Sequence, residues 1–250
     1  MMMGAAGVTG VELAPTAVWS DPLGATDAEV RGVRDWWRDR GIAVVALQAL
    51  LFGRPDLAIF GDDDVRRATL EHLTGMMDLA ARLGAKPLVF GSPKNRLVGS
   101  RPKAEAWRIA REFFAAAGAR ATERGVVLCI EPNPADYGCD FVRTTAEGLE
   151  LVREVGSPGF RLHLDAGALT LNHEAVPETL ATAAAVLCHF HASEPGLVPF
   201  GAGGADHVAC AAALRTARYE GWVSVEMRAT ADASAELPRV LKLLSDRYGG

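Results

Sequence analysis

With 250 residues, 49% of them hydrophobic and 23% charged, the chain has the size and apolar content of an α/β barrel with a substantial core. A net charge of −5 gives no electrostatic reason to expect nucleic acid, and no apolar run reaches the roughly 18 residues of a membrane helix. Cys129, Cys139, Cys188 and Cys210 show no CxxC spacing and MMMGAAGVTG lacks the apolar stretch of a signal peptide, so reduced thiols and a soluble, cytoplasmic protein are expected.

Apolar runs alternate with Ala-rich amphipathic runs from end to end. The strand-like runs begin at Val8 (VTGVELAP), Ile42 (IAVVALQALL), Lys86 (KPLVFGS), Val126 (VVLCIEPN), Phe160 (FRLHLDAG), Leu187 (LCHFHAS) and Trp222 (WVSVEMR). Their spacing is that of a βα repeat, and their near-continuous apolar character suits parallel strands covered by helices. Between them, Thr26 with Glu29 reads as a capping box with Gly41 as the stop. Thr144 with Glu147 reads as another, ended before Ser157-Pro158. Asp62 to Asp64 load the N-terminus of a helix that runs to Gly84. No linker or low-complexity segment divides the chain, so residues 1–250 read as one TIM-type (β/α) barrel domain with seven parallel strands.

A full eight-stranded barrel needs one more strand and helix ahead of Val8, where only MMMGAAG stands, readable as the tail of a missing helix with Gly7 as its stop. The strands at Val8 and Trp222 then lack their shared neighbour, and unpaired apolar edges associate readily. The expectation is either that these two strands pair directly in a tightened barrel, or that another segment, or a second subunit of a homo-oligomer, covers the gap.

Glu131, Asp165, His191 and Glu226 each stand near the C-terminal end of a separate strand-like run. Carboxylates and imidazoles ending apolar runs are costly to bury unless a cation collects them. In a parallel barrel those strand ends converge on one face, where active sites are built. Three carboxylates and an imidazole there suit a divalent ion such as Mn²⁺ or Mg²⁺. Residues two apart on a strand share a face, which groups Cys129, Glu131 and Asn133, then His163 with Asp165, then His189 with His191. His163 and His189 therefore belong one layer deeper, as support or core.

These segments resemble the xylose isomerase-like TIM barrels, in particular the sugar isomerase/epimerase branch that includes ketose 3-epimerases, hydroxypyruvate isomerase and inosose dehydratase. Glu131-Pro132-Asn133 is similar to that branch's Glu-Pro stretch, and Leu164-Asp165-Ala166-Gly167 to its Leu-Asp-Thr segment. His189-Phe190-His191 with Glu194 resembles its His-x-His strand, and Val225-Glu226 its last-strand glutamate. The resemblance runs from about Val8 to the C-terminus and implies a metal-dependent enzyme acting on a sugar or sugar-like substrate, with no nucleic-acid or membrane partner. Two positions depart from the ketose 3-epimerase pattern. Ala168 stands where a substrate-touching histidine is usual, and Leu197 where an arginine binds substrate hydroxyls.

Further residues carry expectations of their own. Lys94 and Arg96 follow the strand at Lys86 and could bind a substrate carboxylate or phosphate. Glu12 and Gln48 are expected to face the mouth, with Gln48 and Asn133 bonding substrate hydroxyls. Glu194 and His207 are placed beside the site, and Gly201 to Gly204 form a lid or turn. Trp19, Phe52 and Phe60 could wall the mouth, Trp36-Trp37 packs helix against barrel, and His72 and His173 face solvent. The favoured chemistry is isomerisation or epimerisation, with Glu131 and Glu226 removing and returning an α-proton through an enediolate, and Asp165 and His191 as fixed ligands. The same chemistry with loss of water gives a dehydratase of a cyclitol or sugar acid. A sugar-binding barrel without turnover and an endonuclease IV-like nuclease are the remaining alternatives.

Overall fold

The computed structural model describes residues 7–249. Strand β1 spans Gly10–Leu13, followed by helices α1 (Pro15–Val18) and α2 (Asp27–Arg38), strand β2 (Ala43–Leu47) and helix α3 (Asp63–Leu83). Strand β3 (Pro87–Phe90), helix α4 (Lys103–Glu123), strand β4 (Val127–Ile130) and helix α5 (Thr145–Val155) come next. Strand β5 (Phe160–Asp165) runs directly into α6 (Ala166–Leu171), with α7 (Val176–Ala183) before β6 (Leu187–Ser193). Helix α8 (His207–Thr216), strand β7 (Val223–Glu226) and helix α9 (Ala233–Tyr248) complete the chain. All seven strands are parallel neighbours in chain order, a nearly closed barrel wrapped by helices. Each overlaps a run read from the sequence. The MMMGAAG segment lies, apart from Gly7, outside the described residues.

The local signals act as the sequence predicts. The Thr26 hydroxyl accepts from the Glu29 amide while the Glu29 carboxylate accepts from the Thr26 amide, closing the capping box at α2. Asp62 caps α3 through the Val65 amide, and Gly84 ends that helix at φ +85°, a conformation that costs a side chain. At α5 the Thr144 cap holds, but Glu147 reaches past it to the Arg143 amide, so the box is only half formed.

The core lies between the strands' outer faces and the helices. Phe114 of α4 stacks on Phe160 of β5 at 4.5 Å between ring centres and meets Phe90 of β3 edge-on at 5.6 Å. Trp37 packs against this core, whereas Trp36 is 49% exposed with Arg40 over its ring. Phe60 is buried against Phe141, which removes it from the expected mouth wall. His72, expected in solvent, is half-buried between Arg54 and the Leu50 carbonyl; His173 is exposed.

Two register shifts matter for the interior. One lies between Val11 and Glu12 in the β1–β2 ladder, the other between Leu162 and His163 in β5–β6. Such irregularities re-aim the side chains next to them. Among the described residues β1 and β7 do not pair, which rules out the first of the two expected arrangements, a tightened, directly paired barrel. The Trp222 ring instead lies against Gly10, where a Cβ would collide with it. A cavity of about 590 Å³ remains between β1, β7 and α9, with Val11, Val225, Leu237 and Leu241 in its wall. All four residues of β7 are half-buried, in contrast to the fully buried β3.

Candidate functional site

Glu131 directly follows β4, Asp165 and Glu226 end β5 and β7, and His191 lies near the end of β6. Together they offer four ligand atoms that all lie within 4.8 Å of one another. Two donors at about 2.0–2.6 Å from a common ion subtend roughly that span. The His191 Nδ1 atom is 3.3 Å from a Glu226 oxygen and 3.8 Å from Glu131 Oε1, buried and without a hydrogen bond. An orphaned imidazole nitrogen facing three carboxylates fits the donor chemistry of a divalent cation.

The electrostatics of the four groups agree with that fit. Burial, with Glu226 and Asp165 nearby, pushes the Glu131 carboxyl up from 4.5 to about 8, against the pull of His191. Burial and Glu226 likewise push Asp165 up from 3.8 to about 6, against His191 and Ser193. Burial works against charging His191, yet Glu12 and Glu226 outweigh it and hold the imidazole well above its ordinary value. His163, wholly buried beside the other imidazoles, is held well below its own. Carboxyls that bind protons this tightly mark a place where positive charge is in demand.

Each member is supported differently. Asp165 caps α6 by accepting the Ala168 amide at 2.6 Å, and its second oxygen accepts from the Ser193 hydroxyl. Ser193 Oγ also accepts from the Gly167 amide. Glu131 accepts from the Asn133 amide group at 3.1 Å. It lies so close to Gly91 that a Cβ there would strike its carboxylate, which makes this glycine the space into which Glu131 folds. The ring of His163 stands edge-on to His191 at 4.1 Å, with its Nδ1 at 3.5 Å from Glu131. The Glu226 side chain is 24% exposed and makes no hydrogen bond among the described residues.

A cavity of about 380 Å³ opens above these groups. Gln48, Asn133, Tyr137 and Arg228 supply its polar walls beside the carboxylates, and Phe52, Ala168 and Leu197 supply apolar ones. Phe52 is 70% exposed at the rim, while Trp19 packs into the core instead.

Several expected substrate contacts are corrected. Arg96 is wholly buried; its guanidinium donates to the Glu131 carbonyl at 2.7 Å, the Phe90 carbonyl at 3.4 Å and the Cys139 sulfur at 3.4 Å. It anchors the backbone beneath Glu131 and is turned away from any substrate. Lys94 is exposed on the 3₁₀ turn Lys94–Arg96 and lies off the cavity wall. Glu194 is buried and accepts the Gly201 and Ala205 amides, with His207 at 3.2 Å bound in turn to the Tyr248 hydroxyl. Both tie down the 198–206 loop and neither lines the cavity. Glu12 points below the site rather than at the mouth, 2.8 Å from His189 Nε2 and 3.0 Å from His191 Nε2. Burial opposes its ionisation, but the two imidazoles prevail and hold it well below the usual carboxylate range.

Three residues escaped the sequence reading. Tyr137 lines the cavity and its hydroxyl accepts the Gly196 amide, drawing the loop after β6 toward the site. Arg228 follows Glu226 by two positions, and this shared-face spacing could have singled it out. Its amide donates to the Leu197 carbonyl, and both residues line the cavity. Ser193 follows His191 at the same spacing.

Solved structures share this fold. A D-psicose 3-epimerase, solved in the presence of D-fructose, is similar at 20% identity and TM-score 0.83, over 98% of this chain and 91% of that one. A 3-keto-D-glucoside 4-epimerase from E. coli, in apo form, is similar at 19% identity and TM-score 0.81, over 97% and 91%. An L-ribulose 3-epimerase is similar at 20% identity and TM-score 0.76, over 98% and 83%. At these identities the likeness speaks to the fold. No curated protein matches the chain in sequence. The profile of one family covers residues 4–244, and by that match the chain belongs to the xylose isomerase-like TIM barrel family.

Proposed function

We propose that this chain is a divalent-metal-dependent isomerase or epimerase of a sugar or related polyhydroxy carbonyl compound. The observation that carries the reading is the convergence of Glu131, Asp165, His191 and Glu226 within 4.8 Å at the floor of a cavity walled by hydrogen-bonding side chains. Structural neighbours whose described activities are epimerisations of ketoses and keto-glucosides support the substrate class. A bound Mn²⁺ or Mg²⁺ ion would be held by these four residues and would supply Lewis-acid polarisation of a substrate carbonyl and its neighbouring hydroxyl.

The chain's own groups divide the remaining work. Asp165, clamped by the α6 N-terminus and Ser193, and His191, clamped by Glu12, are fixed points. Glu131 and Glu226 approach from strands on opposite sides of the barrel, so one carboxylate removes the α-proton and the other returns it. Asn133 and Tyr137 orient substrate hydroxyls by donating to them, and Gln48 bonds from the opposite wall. Arg228 grips a hydroxyl or carboxylate at the rim, in place of the arginine that Leu197 replaces. Three carboxylates against one arginine on the wall argue against a polyanionic nucleic-acid substrate.

The test is proton exchange. Mn²⁺-loaded protein incubated in D₂O with a panel of ketoses, aldoses and inososes should incorporate deuterium at the carbon beside one substrate's carbonyl, read by NMR. Deuterium incorporation with loss of water would shift the assignment to a dehydratase. Binding without exchange across the panel would refute catalysis and leave a sugar-binding barrel.

A further inference from the structure

His191 presents its two ring nitrogens to different surroundings. Nδ1 faces the three carboxylates without a hydrogen bond, and Nε2 faces Glu12, 3.0 Å from one carboxylate oxygen and 3.1 Å from the other. The Glu12 side chain is only 4% exposed. It comes from β1, far from His191 in sequence, and reaches this spot through the register shift between Val11 and Glu12.

We infer that Glu12 is a positioning residue of the metal centre: its carboxylate takes the Nε2–H of His191 and so fixes the tautomer whose Nδ1 lone pair faces Glu131, Asp165 and Glu226. The inference rests on the metal-dependent reading above. A neutral imidazole carries one donor and one acceptor nitrogen, and an ionised carboxylate only accepts. With Glu12 against Nε2, the proton must sit there, and Nδ1 is left to ligate. Metal-bound histidines generally depend on such an outer partner to set their tautomer and orientation.

Glu12 is itself held. His189 Nε2 lies 2.8 Å from one of its oxygens and 3.1 Å from the Ser224 hydroxyl of β7. The chain Ser224–His189–Glu12–His191 therefore ties β1, β6 and β7 together through side chains, across the edge where β1 and β7 share no backbone ladder. Glu12 and Ser224 both border the cavity in that gap. Solvent admitted there would compete for the Glu12 carboxylate, so His189 and Ser224 act as its clamp.

The test measures Mn²⁺ binding, by electron paramagnetic resonance of the free ion, for the wild type and Glu12→Gln. The substitution keeps the shape but lets the new amide donate to Nε2, which favours the tautomer with hydrogen on Nδ1. One ion per chain is expected in both, with affinity weaker by about 10- to 100-fold in the variant. In parallel, ring ¹⁵N shifts of the Mg²⁺-loaded wild type should show His191 protonated at Nε2, a readout that stands even if the variant does not fold. Equal affinities overturn the inference and leave the metal centre intact, whereas a proton on Nδ1 overturns it and removes His191 Nδ1 from the ligand set. Two ions in the wild type with one lost in the variant also overturn it, because Glu12 would then be a ligand. Wild-type protein that binds no Mn²⁺ overturns the metal-centre reading and the inference with it.

Discussion

On the proposed metal-centre reading, removing the cation from its four crowded ligands should make stability fall as pH rises, over a window set by the groups themselves. In the folded, metal-free chain Glu131 holds its proton up to about 8, against 4.5 for an ordinary glutamate. Between those values the folded state binds the extra proton, so stability is fully present below 4.5 and is lost toward 8. His191, held above 6.5, adds the same sign as pH rises beyond that value. His163 works in the opposite sense below 6.5, where an unfolded histidine would charge and the buried one does not. The clean window is therefore about pH 6.5 to 8. The Glu131 proton held across it corresponds to roughly 2 kcal/mol, and His191 acts in the same direction. In a chain of this size about 2 kcal/mol is a fall in Tm of roughly 4–8 °C. Differential scanning calorimetry of chelator-treated protein at several pH values reads it directly. Saturating Mn²⁺ should reverse the trend, because binding displaces those protons and tightens with pH. A metal-free Tm that stays level or rises from pH 6.5 to 8 would refute the reasoning.

Arg96→Ala should lower stability by about 2–4 kcal/mol through lost charged hydrogen bonds and a cavity beneath Glu131, seen as a lower denaturant midpoint; an unchanged midpoint with a raised KM would restore Arg96 to the substrate. Glu226→Gln should fold normally by circular dichroism, lose turnover by about 10²-fold or more and weaken Mn²⁺ binding; near-normal turnover in the deuterium-exchange assay would remove Glu226 from proton transfer. Arg228→Ala should raise KM about tenfold with little change in kcat, since uniform binding is lost; a matching fall in kcat alone would place Arg228 in the chemistry instead. By hydrogen exchange, amides of β7 that face the gap should exchange at least ~10-fold faster than those of β4, which pairs on both sides; equal protection would mean that the gap is sealed in solution.

The parts legible in the sequence were those set by local or periodic signals. The inner strands showed as apolar runs because both their faces are covered, β1 and β7 showed although only half-buried, and the helix ends showed through Thr26, Asp62, Thr144 and Gly84. Glu131, Asp165, His191 and Glu226 stood out because charge at the end of an apolar run has few bland explanations. What escaped depended on partners that only folding supplies. Nothing near Arg96 in sequence announces that the Glu131 carbonyl will receive it, and an arginine in a Pro-Lys-Asn loop reads as exposed. Glu194 and His207 looked like site residues because they flank the histidine strand, yet each is consumed by the other and by loop amides. Glu12 was expected at the mouth because it ends its apolar run, whereas folding sets it against two imidazoles. Its partners lie on β6, at the opposite end of the chain's order.

The missing pairing between β1 and β7 bears on how the site is built. Asp165 cannot move without uncapping α6 and releasing Ser193, and His191 cannot turn without leaving Glu12. Glu131 rests on a backbone pinned by Arg96 and is crowded by Gly91. The Glu226 side chain is the most exposed of the four, 24% against 13% for Glu131, makes no hydrogen bond among the described residues and sits on a strand with one edge unpaired among them. Three groups are thus preorganised and one is free to adapt. Preorganisation favours fixed charge in the ligands that hold an ion and orient a substrate. A group that must collect a proton from one position and release it at another benefits from a side chain whose reorientation breaks little. On the proposed reading, the edge left unpaired among the described residues therefore lies beside the carboxylate that must move a proton, while the contacts from Ser224 through His189 and Glu12 to His191 brace β7 against β6 and β1.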